Sequence, residues 1–221
     1  MIRTDFSVIW QHMPALLEGL KWTIIMVSGG LAFGIVLGLL ACFGKILRRG
    51  PLYWLSVSFI EIFRTLPEMV VVFWIYFCLP LLFNARMPAV LCGLIALSLF
   101  SGAILAEIFR GGFEAVPRGQ VEAALALGIG RPAIWWNIVL PQALRMMTPA
   151  FILFLTDLIK VSGLLSAISV GELVYQAAIV SGTSFRHFEM FSAVAVFYFM
   201  LIFPLSMAGH AMERRLARRA R

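Results

Sequence analysis

Long apolar runs divide this chain, and five of them reach the length that a membrane-spanning helix needs. A helix rises about 1.5 Å per residue, so about 20 apolar residues cross the hydrocarbon core of a bilayer. The pattern predicts five spans, at residues 20–44, 52–82, 89–109, 147–168 and 188–211. The second run is longer than one span needs, and its first half is interrupted by Glu61, Arg64, Pro67 and Glu68. We therefore predict an all-α membrane protein with a single transmembrane domain over residues 1–221.

The largest polar interruption is the loop at about residues 112–145, between the third and fourth spans. Residues 120–127 are rich in Ala, Leu and Glu, which favour a helix, and Gly128 can adopt the left-handed conformation that closes one. Pro132 suits the first turn of a second short helix, and Pro141 bends or ends that helix. The loop is therefore predicted to form two short helices joined by a turn at the membrane surface.

Composition excludes a soluble fold. Hydrophobic residues make up 62% of the chain and charged residues only 13%, whereas about a quarter of a typical soluble domain is charged. The net charge of +7 would suggest a nucleic-acid partner in a soluble protein. Here the basic residues lie in short loops and in the C-terminal tail, so we expect a lipid bilayer around the protein and no nucleic acid.

The distribution of basic residues predicts the orientation in the membrane. With five spans, the first loop, the loop after the third span and the tail share one side, whereas the other side has only Arg3, Arg86 and Arg186, with Lys21 at its edge. The basic residues of the first side are Lys45, Arg48, Arg49, Arg110, Arg118, Arg131, Arg145, Arg214, Arg215, Arg218, Arg219 and Arg221. The positive-inside rule makes that side cytoplasmic. The N-terminus is then outside, and the C-terminus and the loop at 112–145 are cytoplasmic.

The sequence contains no motif for catalysis or for metal binding. The three cysteines and three histidines are scattered, without the spacing of a disulfide framework or a zinc site. A phosphate-binding G-x-x-x-x-G-K-[ST] loop, an H-E-x-x-H motif and a persuasive Ser/His/Asp set are all absent. We expect a chain with no catalytic residues, no metal site and no cofactor.

The cytoplasmic loop carries a spaced motif. Glu122, Ala123 and Ala124 are followed by Gly128 and then, after nine residues, by Ile138, Val139, Leu140 and Pro141. This pattern resembles the coupling loop of bacterial ABC importer permeases, the membrane subunits that a separate ATPase drives. An ordinary amphipathic connector is the alternative. The E-A-A triplet alone is weak evidence, but the triplet, the glycine and the I-x-L-P segment at these spacings favour the coupling loop together.

Other segments extend the resemblance to the polar amino acid branch of these permeases, over about residues 10–210. They are residues 62–67 (IFRTLP), 107–112 (EIFRGG), 116–120 (VPRGQ), 158–164 (LIKVSGL) and 171–173 (GEL). The chain departs from the branch at Glu68, where an apolar residue is usual, and at Leu153, Phe154, Val161 and Gly163, where polar residues are common. These departures weaken any inference about the individual substrate.

The resemblance implies a type I ABC importer permease of the bacterial inner membrane. Two permease subunits, identical or sister chains, would form the translocation pathway, and two ATPase subunits would each grip one coupling helix. A periplasmic or surface-anchored solute-binding protein would deliver an amino acid. The implied contacts to the ATPase lie at Glu122, Ala123, Ala124, Gly128, Ile138, Leu140 and Pro141. A stand-alone channel or ion-coupled transporter is the alternative, but it gives no reason for the loop motif.

Four charged residues within the apolar runs are candidates for the pathway: Arg64, Glu68, Asp157 and Lys160. A charge in hydrocarbon costs a few kcal/mol, so such residues usually face the protein interior or pair with each other. The alternative is local ion pairing at a spacing of three residues, as for Glu61 with Arg64 and for Asp157 with Lys160. Glycines at 29, 30, 34 and 38 permit close helix contact, either between subunits or within one subunit.

Overall fold

The computed structural model describes residues 5–219, with side chains as far as Arg214, and this part is helical without a strand. Predicted positions beyond those limits, including Arg3 and most of the basic tail, lie outside the described residues. Two π-helical turns, Trp74–Cys78 and Trp135–Val139, join successive helices, and a 3₁₀ turn, Gly163–Ile168, extends α9. The helices are α1 (Ser7–Gln11), α2 (Met13–Ile46), α3 (Pro51–Thr65), α4 (Glu68–Phe73), α5 (Leu79–Leu82), α6 (Ala89–Glu114), α7 (Arg118–Ala126), α8 (Arg131–Ile134), α9 (Leu140–Ser162), α10 (Leu173–Ser184) and α11 (His187–Arg219).

Four helical segments of the described chain are long and apolar enough to cross a membrane. They are Met13–Ile46, Ala89–Glu114, Arg131–Ile168 and His187–Arg214. A fifth crossing results if Pro51–Thr65 and Glu68–Leu82 count as one bent span. Helix α2 begins well before the apolar run 20–44, and α11 continues past the run 188–211 as far as Arg219.

The apolar run at 52–82 is two helices rather than one, and they meet at an angle of 110°. Leu66 and Pro67, between them, have extended backbone with ψ of 139° and 134°. Proline lacks the N–H that a continuous helix would use, and its ring disfavours helical backbone at the preceding residue. The local sequence at Pro67 therefore breaks the second span near its middle.

The second helix of the loop at residues 112–145 does not end at Pro141. It continues from α8 through the π-helical turn into α9, as one helical segment of 38 residues, Arg131–Ile168. The missing N–H of Pro141 falls at the start of α9, directly after the wider turn Trp135–Val139. A π turn accommodates such an interruption without breaking the helix. The loop and the fourth span are therefore mechanically continuous.

The end of α7 matches the prediction made for Gly128. This residue has φ of +75°, the left-handed conformation that glycine adopts at low cost. Its N–H bonds to the Leu125 carbonyl at 2.9 Å, and the N–H of Ile129 bonds to the Ala124 carbonyl at 3.0 Å. These two bonds form a Schellman motif, which closes α7 and turns the chain towards α8.

The centre of the fold is the close packing of α2 against α6. Gly30, Gly34 and Gly38 of α2 are buried, and a Cβ atom on any of them would collide with α6 of the same chain. Small residues let membrane helices approach closely and gain van der Waals contact. Gly30, Gly34 and Gly38 therefore serve helix packing within one subunit and not contact between subunits.

Candidate functional site

The four charged residues predicted to lie along the pathway line a single cavity of about 340 Å³, together with Phe100, Ile104 and Val161. Three separate regions of the chain build it. Arg64 ends α3 and Glu68 begins α4, so the 110° break places both at the cavity. Asp157 and Lys160 come from the C-terminal third of the segment Arg131–Ile168. The fold therefore brings residues that are distant in the sequence together around one cavity.

The predicted local ion pairs form in one case and not in the other. The Lys160 ammonium donates a hydrogen bond to the Asp157 carboxylate at 3.0 Å, and both side chains are more than half exposed. Glu61 and Arg64 do not pair. Arg64 and Glu68 have no hydrogen bond or ion pair with any residue that the structure describes. One cation and one anion therefore face the cavity without a partner.

This arrangement can hold a small molecule that carries both charges. Guanidinium and ammonium groups bind carboxylates, and carboxylates bind ammonium or guanidinium groups. The backbone break between α3 and α4 adds polar groups at the same place, and irregular backbone at membrane depth is tolerated where it lines a cavity or packs against protein. The cavity offers both signs of charge, with the Phe100 ring as an apolar wall.

The loop at residues 112–145 presents its predicted residues on two different surfaces. Glu122, Ala123 and Pro141 are exposed, whereas Ala124 lies on the buried face of α7. Ile138 and Leu140 are half-buried at the start of the long helix. Gln142 Nε2 donates a hydrogen bond to Gln120 Oε1 at 2.6 Å, which ties α7 to α9. The loop is a structured unit whose outer surface is available to a partner.

The outer surface of the loop is unusually apolar. Leu127 is 80% exposed and Trp136 is 66% exposed, and Leu125 and Ile129 are also open to solvent. Exposed apolar residues that cluster, beside polar ones, mark a surface for binding another protein or a membrane. Leu127 and Ile129 flank Gly128, so the turn that closes α7 lies at the centre of this surface.

The sequence did not predict an ion-pair network that lies near the C-terminal ends of α2 and α6. Lys45 Nζ donates to Glu107 Oε1 at 2.8 Å, and Arg110 Nη2 donates to Glu107 Oε2 at 2.6 Å. Arg110 also pairs with Glu114. The spacing of Glu107, Arg110 and Glu114 places them on one helix face, which was an available signal. Lys45, the partner of Glu107, lies 62 residues away in the sequence. Local spacing therefore could not predict this pair.

Glu172 is a second functional candidate to which the sequence gave no role. Its buried carboxylate accepts the backbone N–H groups of Val174 at 3.0 Å and Tyr175 at 2.8 Å, so it caps α10. The Tyr198 hydroxyl donates to the same carboxylate at 3.4 Å. Burial raises the pKa of Glu172 to about 7, against these hydrogen bonds, which favour the charged form. An acidic residue before an apolar helix is a recognisable cap signal.

Comparisons with known proteins agree with one another. The profile of the family described as "binding-protein-dependent transport system inner membrane component" matches residues 9–221. The glutamine transport system permease protein GlnP of Escherichia coli strain K12 is 38% identical over 213 residues, covering 96% of this chain and 97% of that protein. The arginine transport system permease protein ArtQ of Bacillus subtilis strain 168 is 31% identical over 212 residues, with coverage of 96% and 97%.

Solved structures show the same similarity. A chain of a crystal structure described as an amino acid ABC transporter with histidines has a TM-score of 0.88 at 30% identity, covering 97% of this chain and 100% of that chain. A chain of the MetNI methionine ABC transporter in an inward-facing conformation has a TM-score of 0.70 at 20% identity, covering 91% and 98%. The second similarity concerns the fold alone.

Proposed function

Since this chain belongs to the family of binding-protein-dependent transport system inner membrane components, we propose that its charged cavity carries amino acids across the membrane and that its cytoplasmic loop receives the driving force. The resemblance to ABC importer permeases is confirmed, and so is the all-α permease fold with up to five spans. In this family a separate ATPase subunit hydrolyses ATP, so the expectation that the chain is not an enzyme is also confirmed.

The cavity of Arg64, Glu68, Asp157 and Lys160 is the observation that carries the proposed substrate class. An amino acid is a zwitterion at neutral pH, and the cavity offers cations for its carboxylate and anions for its ammonium group. Arg64 and Glu68 lack partners within the described chain, so a substrate could bind them without breaking an existing ion pair. The relatives GlnP and ArtQ are named for glutamine and arginine, which supports the same class.

The proposed coupling runs along one continuous helix. The ATPase would bind the exposed surface of the loop, at Glu122, Ala123, Gly128 and Pro141, with Ala124, Ile138 and Leu140 supporting it from beneath. The segment Arg131–Ile168 begins in this loop and also carries Asp157 and Lys160. At about 1.5 Å per residue, Asp157 lies about 40 Å along this helix from Arg131. Displacement of the loop by the ATPase would therefore move two of the four charged side chains.

The wider assembly is part of the same proposal. The chain is an inner membrane component, and its N-terminus lies outside with its C-terminus in the cytoplasm. A second permease subunit, either a copy of this chain or a sister chain, completes the pathway, and a solute-binding protein delivers the amino acid from outside. ATP binding to the ATPase favours one of two access states, so differential affinity for ATP drives the change.

Uptake of L-glutamine into proteoliposomes tests the proposal. The chain is reconstituted with its ATPase and its solute-binding protein, and uptake is measured with and without enclosed ATP. We expect ATP-dependent uptake that Asp157→Ala and Lys160→Ala reduce, while Arg86→Gln, away from the cavity, leaves it unchanged. Uptake of equal rate without ATP would instead identify a stand-alone transporter. Normal rates and unchanged selectivity in both cavity variants would refute the role of the cavity.

A further inference from the structure

A second and larger cavity, of about 760 Å³, lies at the cytoplasmic base of the spans. It is enclosed by the C-terminal ends of α2 and α6 on one side and by α7 and the turn Trp135–Val139 on the other. None of its lining residues belongs to the cavity of Arg64 and Asp157. It is therefore separate from that cavity, and of its lining residues only Glu122 is also a proposed contact to the ATPase.

One part of the wall of this cavity is apolar, and another part is charged. The apolar part is built around Phe113, whose ring centroid lies 5.1 Å from that of Trp135 and 6.3 Å from that of Phe43. Ile46, Val116, Val121 and Val139 extend it. The charged part consists of Lys45, Arg48, Arg110, Glu114, Arg118 and Glu122. A cavity of this size with a few polar groups on an apolar lining has the character of a ligand site.

The charges that remain unpaired are mainly positive. Lys45 and Arg110 are neutralised by Glu107 and Glu114 through the ion-pair network. Arg48 and Arg118 have no carboxylate partner among the residues that the structure describes, and Glu122 has no cationic one. Two free guanidinium groups thus face one free carboxylate, which favours an anionic ligand.

The backbone around Arg48 holds it at this place. Arg48 has φ of +58°, in the left-handed region that a non-glycine residue seldom adopts, and Gly50 has φ of +88° in the same turn. The turn between α2 and α3 therefore reverses sharply at the base of α2. Arg48 lines the cavity as a result of this turn.

We propose that this cavity binds the headgroup of an anionic phospholipid from the cytoplasmic leaflet, such as phosphatidylglycerol. Arg48 and Arg118 bind the phosphate through charge-assisted hydrogen bonds. The rings of Phe43, Phe113 and Trp135 contact the glycerol and upper acyl carbons. Basic pockets between membrane helices on the cytoplasmic side suit such lipids. A free phosphate ion would leave the aromatic wall without a partner.

Retention of lipid by the intact complex tests this site. The complex of this chain with its ATPase is reconstituted in an equal mixture of phosphatidylglycerol, phosphatidylethanolamine and phosphatidylcholine, released in mild detergent, and its bound lipids are counted by native mass spectrometry. We expect enrichment of phosphatidylglycerol over the other two lipids. In Arg48→Gln/Arg118→Gln the enrichment should fall about 25-fold, since each basic residue near an anionic surface contributes about fivefold.

Two controls separate the site from general attraction of lipid. Arg145→Gln removes a positive charge from the same side without touching the cavity and should leave the enrichment unchanged. The charge-preserving pair Arg48→Lys/Arg118→Lys should retain most of it. Equal enrichment in Arg48→Gln/Arg118→Gln and the parent, or equal retention of all three lipids by the parent, overturns the proposal.

The parent chain also gives a result that needs no variant. Phosphatidylglycerol with a photoreactive group near its glycerol should label the peptides that contain Phe43, Phe113 and Trp135. Labelling elsewhere only would contradict the proposed location. Excess inorganic phosphate distinguishes the two sources of the anion: if phosphate alone displaces the lipid and blocks labelling completely, the site is one for free phosphate and the lipid assignment is wrong.

Discussion

Gly34 of α2 lies directly against Ser101 of α6, so that a Cβ atom built on Gly34 would be 2.3 Å from the Cβ of Ser101. The same construction gives 2.6 Å between Gly30 and Leu97 and 2.9 Å between Gly38 and Leu105. Four-residue spacing keeps the three glycines on one helix face. The absence of side chains here fixes the distance between the two central helices of the subunit.

Gly34→Ala should destabilise the protein. The added methyl group would overlap the backbone-proximal part of Ser101, which cannot move without shifting α6, and overpacking of this kind costs about 1–3 kcal/mol. Gly111→Ala is the matched control, because nothing lies within 4 Å of a Cβ atom at that position of α6. There alanine should be neutral or stabilise by up to about 1 kcal/mol. Thermal unfolding in detergent measures both, and equal midpoints would contradict the close-packing interpretation.

Gly128→Ala should reduce ATP-driven uptake without reducing the amount of protein in the membrane. Alanine in the left-handed conformation costs about 1–2 kcal/mol, so the Schellman closure of α7 weakens and the exposed surface around Leu127 loses its shape. Gly119→Ala, within α7 and with no positive φ and nothing within 4 Å of an added Cβ, is the control. Uptake per molecule of inserted protein is the measurement. Full activity of the Gly128 variant would show that the turn is not needed for coupling.

The Lys45–Glu107 ion pair should contribute more than the Asp157–Lys160 pair, although their lengths are similar, at 2.8 and 3.0 Å. Lys45 and Glu107 are only about 20% exposed, whereas the other two side chains are more than half exposed. Exposed pairs contribute about 0–1 kcal/mol, and removing one partner of a more buried pair costs about 3–5 kcal/mol. Double-mutant cycles to alanine measure each coupling energy, and equal coupling energies would show that burial does not strengthen the Lys45–Glu107 pair.

Glu172 should make stability depend on pH. Its pKa is raised by burial to about 7 from an ordinary value of 4.5, so the folded protein binds more protons than the unfolded chain between these values. Stability should therefore be greatest below about pH 4.5, fall as the pH rises and level off above about 7, by on the order of 3 kcal/mol. Unfolding midpoints measured across this range provide the test.

Glu172→Gln removes this titration while keeping an oxygen that can cap α10, so its midpoint should vary less with pH. Glu18→Gln removes the same charge from an exposed position and is the control. Glu172→Ala should be destabilised at every pH by about 1–3 kcal/mol, because the N–H groups of Val174 and Tyr175 lose their acceptor. A pH profile of Glu172→Gln identical to that of the parent would place the titrating group elsewhere.

The sequence predicted those features that depend on local composition. Apolar length located the membrane helices, and the conformational freedom of Gly128 located the end of α7. It also proposed Arg64, Glu68, Asp157 and Lys160 as pathway candidates through the cost of a charge in hydrocarbon. Their position around one cavity could not be predicted, because it depends on the angle at Pro67 and on how α9 packs against α6.

Two prolines have opposite effects on the helices that contain them. Pro67 breaks its helix, whereas Pro141 lies in the first turn of α9 behind a wide turn that absorbs the missing hydrogen bond. Sequence alone does not distinguish these outcomes, since packing of the surrounding helices decides them. The pairing of Lys45 with Glu107 and the contact of Thr23 with the N–H of Leu173 likewise join residues far apart in the chain.

The 110° turn at Leu66 and Pro67 has a consequence for the life of the protein before it is assembled. Helix α3 has 15 residues, about 22 Å of helix, which is too short to cross the hydrocarbon alone. The last carbonyl groups of α3 lack helical partners, and each such group costs several kcal/mol when surrounded by lipid tails. An orphan copy of this subunit would expose that turn on the way to its partners. Its half-life in the cell should therefore depend on how soon they are synthesised, with membrane proteases removing the surplus.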